Sequence, residues 1–155
     1  MDSFKVQAVN MPQTAGHKQI AFGDVASAGT YTFDWRVPRG AIVDKVVVVR
    51  PTAFNSSGAC ALTVGDVNTA NKFLANVDLK GSAARSETLI GKQMQPVSAY
   101  TGGSTGDNEY IVRATVTVAS GTNSAGTMYI WFDYRFDPNS AYVTKTYGET
   151  SVTEA

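Results

Sequence analysis

Apolar and polar positions alternate with a period of two along much of this chain, most clearly near its C-terminal end. From Tyr110 the run Tyr110, Val112, Ala114, Val116, Val118 is interleaved with Ile111, Arg113, Thr115, Thr117, Ala119. From Met128 the run Met128, Ile130, Phe132, Tyr134, Phe136 is interleaved with Tyr129, Trp131, Asp133, Arg135. Successive side chains of a strand point to opposite faces, so each run predicts a strand with one continuous apolar face. Ser120-Gly121-Thr122-Asn123-Ser124-Ala125 between them reads as a polar turn. Together they predict a long hairpin over residues 109–119 and 126–137.

The same period organises the rest. Residues 18–22 are a short strand candidate, closed by Gly23-Asp24, and residues 26–29 a turn. Residues 30–37 alternate, with Tyr31, Phe33, Trp35 and Val37 on one face and Thr30, Thr32, Asp34 and Arg36 on the other. Pro38-Arg39-Gly40 breaks the chain. Residues 42–50 hold four consecutive valines, which predicts a strand covered on both faces in its second half and ended by Pro51. After a loop at 52–58 comes a strand at 60–64. Residues 67–79 predict one helical turn near 69–74 and then a strand. Residues 81–87 read as polar, and any strands within 88–100 as short or edge-placed because of Gly91 and Pro96. Residues 101–108 read as a glycine-rich loop.

About eight strands separated by Gly, Pro, Ser and Asn turns, with no long amphipathic helix, predict an all-β, single-domain antiparallel β-sandwich of the jelly-roll type. An immunoglobulin-like sandwich is the alternative, but its cysteine pair about a tryptophan is absent. The expected organisation is an N-terminal arm or added edge strand at 1–16, the sandwich at 17–137 and a C-terminal arm at 138–155.

Composition narrows the function classes. In 155 residues there are 13 Lys and Arg against 13 Asp and Glu, a formal charge of zero, which lacks the basic field typical of nucleic-acid binding. Charged residues make up only 17%, which suits a surface covered by partners or simply a Ser/Thr-rich β-protein. No secretory leader pattern opens the sequence, and no apolar run approaches the roughly 20 residues that span a bilayer. The one cysteine, Cys60, has no partner for a disulfide and reads as a buried thiol.

Candidate chemistry is sparse. His17 is the only histidine, no Gly-x-Ser-x-Gly elbow occurs, and Gly102-Gly103-Ser104-Thr105-Gly106 lacks the lysine and helix of a phosphate loop. Asp66-Val67-Asn68, Asp107-Asn108-Glu109 and Asp137-Pro138-Asn139 are oxygen-rich loops of the kind calcium uses, or simply strand terminators. Asp34, Asp44, Asp133 and Glu109 are carboxylates by type, without the set separation that glycoside hydrolysis needs. Asp34 and Asp133 share outward faces with Arg36 and Arg135, as in an exposed ion-pair ladder. No catalytic residue, metal ligand or cofactor is assigned. The aromatic residues are more informative. Tyr129 and Trp131 lie opposite the face of Met128, Ile130 and Phe132, so they require cover by another segment, another subunit or a sugar. Phe4 and Val6 in the N-terminal arm, and Tyr142 and Tyr147 in the C-terminal arm, complete the candidate partner contacts.

Three stretches carry a family resemblance. They are Val37-Pro38-Arg39-Gly40-Ala41-Ile42-Val43-Asp44-Lys45-Val46-Val47-Val48, then Thr52-Ala53-Phe54 with Leu62-Thr63-Val64-Gly65-Asp66, and the closing Thr127-Met128-Tyr129-Ile130-Trp131-Phe132-Asp133-Tyr134. Over roughly residues 20–136 the chain resembles the jelly-roll capsid decoration (cement) proteins of tailed bacteriophages. The resemblance implies a non-enzymatic, homotrimeric virion protein on the capsid surface that clamps neighbouring copies of the major capsid protein, without nucleic acid or membrane. Similar modules in tails, head fibres and baseplates leave host-carbohydrate binding as the alternative. It is a pattern without a site motif, so it transfers no residue roles.

Overall fold

The computed structural model describes residues 13–81, 85–89, 95–100 and 109–136. Eleven strands are present among them: β1 (Gln13–Thr14), β2 (Lys18–Ala21), β3 (Ser27–Arg36), β4 (Ala41–Thr52), β5 (Cys60–Asp66), β6 (Leu74–Asp78), β7 (Arg85–Leu89), β8 (Gln95–Pro96), β9 (Ala99–Tyr100), β10 (Glu109–Thr122) and β11 (Thr127–Phe136). A 3-10 turn, Phe22–Val25, joins β2 to β3. All pairings are antiparallel and fall into two sheets. One runs β1-β11-β4-β7, with β2 also on β11 and β8 also on β4; the other runs β3-β10-β5-β6, with β9 on β10. Merging the short strands that share a neighbour leaves four columns in each sheet. The chain crosses between sheets at β2 to β3, β3 to β4, β4 to β5, β6 to β7, β8 to β9 and β10 to β11. This is the jelly-roll topology.

The expected hairpin is overturned. Strands β10 and β11 are not a hairpin: β10 pairs with β3 and β5, while β11 pairs with β4, β2 and β1. Residues 123–126 instead carry the chain from one sheet to the other. Asn123 pins this crossing from a buried position, its Nδ2 donating to the Val25 carbonyl at 2.8 Å and its Oδ1 accepting from the Ser56 N–H at 2.8 Å. Asn55 accepts from the N–H groups of Ser124 and Ala125. Gly126 has φ +141°, and a Cβ there would overlap the Phe54 ring. The same loop composition serves a hairpin turn, so polarity alone could not reveal the change of sheet.

The core lies between the sheets and is built as the alternation requires. Met128, Ile130 and Phe132 of β11 meet Val112, Ala114, Val116 and Val118 of β10, all essentially inaccessible. Val46, Val47 and Val48 are all buried, so β4 is covered on both faces there as its valines predict. It runs two residues beyond the expected end. Opposite Met128 it carries two residues, Arg50 and Pro51, and opposite the Asp133–Tyr134 step it inserts Asp44. Such bulges absorb a proline that has no donor and increase the local twist. The expected turn at 26–29 is the start of β3, where Tyr31 folds its hydroxyl back to donate to the Ser27 carbonyl at 2.9 Å. The helical turn expected near 69–74 is a bend followed by β6.

Candidate functional site

The two outer faces of the sandwich differ in chemistry. On the β10 sheet, Thr30, Thr32, Thr63, Thr115 and Thr117 surround Asp34 and Arg113, which form a two-pronged ion pair with both contacts at 2.7 Å. Asp34 thus has a partner across the sheet, on the neighbouring strand β10. On the β11 sheet, cross-strand registry sets Tyr129 against Val49 and Trp131 against Val47. Aromatic and β-branched residues make favourable cross-strand pairs. Here they leave an apolar stripe on a face that would otherwise be solvated.

A groove of about 540 Å³ opens beside this stripe, lined by Thr14, Ala15, Gly16, His17, Tyr129 and Trp131. Its origin is a mismatch in registry. Thr14 lies opposite Asp133 and Lys18 opposite Ile130, so three residues, Ala15 to His17, face only two, Trp131 and Phe132. The extra residue bows the sheet edge away from Trp131. Each residue of that wall is anchored. The Thr14 hydroxyl donates to Asp133 at 2.8 Å. The Ala15 N–H donates to the Phe132 carbonyl at 2.9 Å. The Gly16 carbonyl accepts from the Trp35 indole at 2.7 Å, and His17 meets Tyr129 edge-on with ring centroids 6.0 Å apart. Trp35 is itself fixed from the core side by an edge contact with Phe132 and by the Lys18 ammonium over its ring. The wall is therefore held from the core as well as from the edge.

Charges fringe the groove at the lower end of β11. Lys45 pairs with Asp133 at 3.6 Å and Arg135 with Asp44 at 2.8 Å. Alternation along β11 foretold which face Tyr129 and Trp131 occupy, and both are half-buried there. Phe4, Val6, Tyr142 and Tyr147 lie outside the described residues. Sequence reasoning missed Thr14 to His17 as the opposing wall. The only available signal was Gly16 beside the single histidine, and it did not reveal the bulge.

The Asp107-Asn108-Glu109 side chains and the Asp137-Pro138-Asn139 loop lie outside what the structure describes, and the other candidates have structural roles. Asp66 is buried, accepting from the N–H groups of Asn68, Thr69 and Ser98 and from the Lys72 ammonium at 2.9 Å. Burial acts to raise its pKa, but the Lys72 bond, the Ser98 and Thr69 N–H groups and the Lys72 charge together outweigh it, and the net shift is downward. With those donors around it, the carboxylate locks the β5–β6 connection to residue 98 and points no free oxygen toward a cation. Among the described residues no three His, Cys, Asp or Glu side chains cluster as metal ligands. Cys60 is buried in the core, and burial, the dominant influence, pushes its thiol pKa up. It belongs to the β10 sheet, whereas His17 lies on the outer face of the other. Asn55 is engaged with Ser124 and Ala125.

No family model matches the chain, and no curated protein matches it significantly. Among solved structures it is similar to a chain of the cyanophage Pam1 capsid asymmetric unit, with 21% identity and a TM-score of 0.57 over 83% of this chain and 86% of that one. A chain from the acidic stable capsid of the Helicobacter pylori bacteriophage KHP30 matches at 18% identity and a TM-score of 0.48, over 81% and 94% of the two chains. At these identities the likeness bears on the fold, and the Pam1 chain carries it.

Proposed function

We propose that this chain is a non-enzymatic structural protein of a phage virion, a decoration or cement protein on the outside of the head. In this reading it acts as a trimer, contacts the major capsid protein and stabilises the shell by bridging capsid subunits. The observation that supports it most is the jelly-roll likeness to a chain of a phage capsid, over 83% of this chain and 86% of that one. The apolar stripe of Tyr129 and Trp131 supplies the contact face, since buried aromatic anchors dominate many protein interfaces. Many weak copies around a shell bind with avidity, so no single interface need be strong. The test is cosedimentation of the purified chain with heads that lack it. Binding that saturates at a fixed stoichiometry and raises the temperature of head disruption supports the proposal. Trp131→Ala should weaken binding by about tenfold or more, the scale of a hot-spot side chain. A chain that stays in the supernatant at all concentrations refutes it.

The groove itself favours a second reading, a tail, head-fibre or baseplate module for a host carbohydrate. Tyr129 and Trp131 are the type of surface on which a sugar ring stacks, and Thr14 and His17 offer polar groups beside them. A glycan array that is blank for the wild-type chain excludes this reading.

A further inference from the structure

A strand left open at the edge of a sheet offers a row of N–H and C=O groups to any extended chain, and proteins usually blunt such edges. Three of the four edges of this sandwich carry an interruption of that kind. The β1–β2 edge is broken by the extra residue at Ala15 to His17. The β7–β8 edge carries Pro96, and β6 is five residues long with Asn76 in left-handed backbone at φ +43°. The fourth edge, β3, is ten residues long and holds neither proline nor lysine. Its Asp34 carboxylate is already neutralised by Arg113 within the same sheet. Among the described residues β3 pairs on one side, with β10, and no strand lies on the other. Phe22, the one large exposed apolar side chain among the described residues, sits in the turn that joins β2 to β3 on this same side of the sandwich.

Registry gives the direction of the open groups. The Val37 N–H donates to the Tyr110 carbonyl at 2.9 Å, one step beyond the β3–β10 ladder. Bonded and non-bonded pairs alternate in an antiparallel ladder. Tyr31, Phe33 and Trp35 therefore bond to β10, and the backbone groups of Thr30, Thr32 and Asp34 point outward.

We infer that this edge pairs, antiparallel, with the same edge of a second copy about a twofold axis through Thr32. In that register Thr32 faces the second copy's Thr32 and Thr30 faces its Asp34, so the outward backbone groups of both copies meet in bonded pairs. Tyr31 and Phe33, half-buried on the inner face, then fall opposite each other at the non-bonded positions, where side chains approach most closely. Aromatic pairs across a ladder are favourable, and Tyr31 is already fixed by its hydroxyl bond to the Ser27 carbonyl. Charge and strand length select this register over its neighbours. An axis through Asp34 sets two carboxylates face to face, which is unfavourable. An axis through Thr30 carries Asp34 opposite Ala26, beyond the start of the strand, and leaves Tyr31 opposite Gly29. The contact is isologous and closes at two copies. It extends the β10 sheet sideways and uses neither the outer face of the β11 sheet nor its groove, so it adds to the threefold contact proposed above and holds or fails independently of it.

Disulfide trapping in the full-length chain tests the register. Residues of a bonded antiparallel pair have Cα atoms about 5.5 Å apart, a separation that a disulfide spans, and the native Cys60 is buried. Thr32→Cys should cross-link to a dimer under mild oxidation. Asp34→Cys or Thr30→Cys alone should not, because each is offset from its own copy by four residues, roughly 13 Å along the strand. An equimolar mixture of these two variants should cross-link one kind to the other. Thr32→Pro removes an N–H that points away from β10, a position where an edge strand tolerates proline, and sedimentation should show the wild-type particle mass halved. Failure of Thr32→Cys or of the mixture to cross-link overturns the inference, as does Asp34→Cys that links to itself equally fast. A wild-type particle of one or three copies whose mass Thr32→Pro leaves unchanged overturns it too, and three copies would leave the threefold contact standing.

Discussion

Asp66 offers the sharpest test of how the sandwich end is held. Replacing it with Ala removes the acceptor for three backbone N–H groups and leaves the Lys72 ammonium, whose side chain is 16% exposed while that of Asp66 is fully enclosed, without its carboxylate and with the neutral Ser98 hydroxyl as acceptor. Each buried donor left without a partner costs about 1–3 kcal/mol, but water reaching Lys72 offsets part of the sum. Breaking a buried pair by removing one member typically costs about 3–5 kcal/mol, and that is the expected loss for Asp66→Ala. Asp66→Asn keeps an oxygen for Asn68 and Thr69 but turns an amide toward the Lys72 and Ser98 donors, so it should lose roughly 1–3 kcal/mol. Urea denaturation at neutral pH measures both, and amide exchange at Thr69 and Ser98 shows whether the loops open locally first. The pH dependence has a definite sign. The folded-state pKa lies below that of the unfolded chain. The stabilisation is therefore complete above the ordinary carboxylate range and disappears as pH falls through the lower folded value. Asp66→Asn should remove that component of the acid sensitivity. A loss under about 1 kcal/mol for Asp66→Ala, within the worth of one ordinary hydrogen bond, together with unchanged exchange protection, would refute the reasoning.

Three further outcomes follow from the geometry. Gly126→Ala combines a left-handed backbone with a clash on Phe54, and thermal or urea unfolding should register about 2–4 kcal/mol of destabilisation. The Asp34–Arg113 pair is about one-third exposed at both ends. A double-mutant cycle should give a coupling under about 1 kcal/mol that shrinks with added salt, and a coupling of several kcal/mol would contradict its placement on a solvated face. Cys60, buried and with a raised thiol pKa, should react with a thiol reagent only as the chain unfolds; rapid modification of the native protein would contradict its burial.

Much of the fold was legible because burial on one face writes itself into a period of two. The parity of β10 and β11 predicted which residues enter the core, and the valine run of β4 predicted cover on both faces. What escaped was non-local. Whether β10 and β11 pair or part depends on Asn55, Ser56 and Phe54, some seventy positions upstream of the loop they engage, and local composition carries no trace of that. The groove escaped for a related reason. It arises from one extra residue between Thr14 and Lys18 relative to their partners on β11, and a bulge leaves no mark in hydrophobic alternation until the partner strand is known. Asp66 reads in sequence as a calcium-type oxygen or a strand terminator, and Ser98, one of its donors, lies 32 positions away. The 3-10 turn Phe22–Val25 was missed because its stabilising contact, the Asp24 carboxylate on the Ala21 N–H, looks in sequence like an ordinary Gly-Asp loop.

The central claim is that the outer face of the β11 sheet meets a capsid surface. A reconstruction of the intact particle that contains this chain tests it directly. The account predicts the sandwich on the exterior of the head at contacts between capsid subunits, with Trp131 and Tyr129 enclosed by protein. Finding the chain in the tail, or on the head with Trp131 and Tyr129 turned toward solvent, would contradict it.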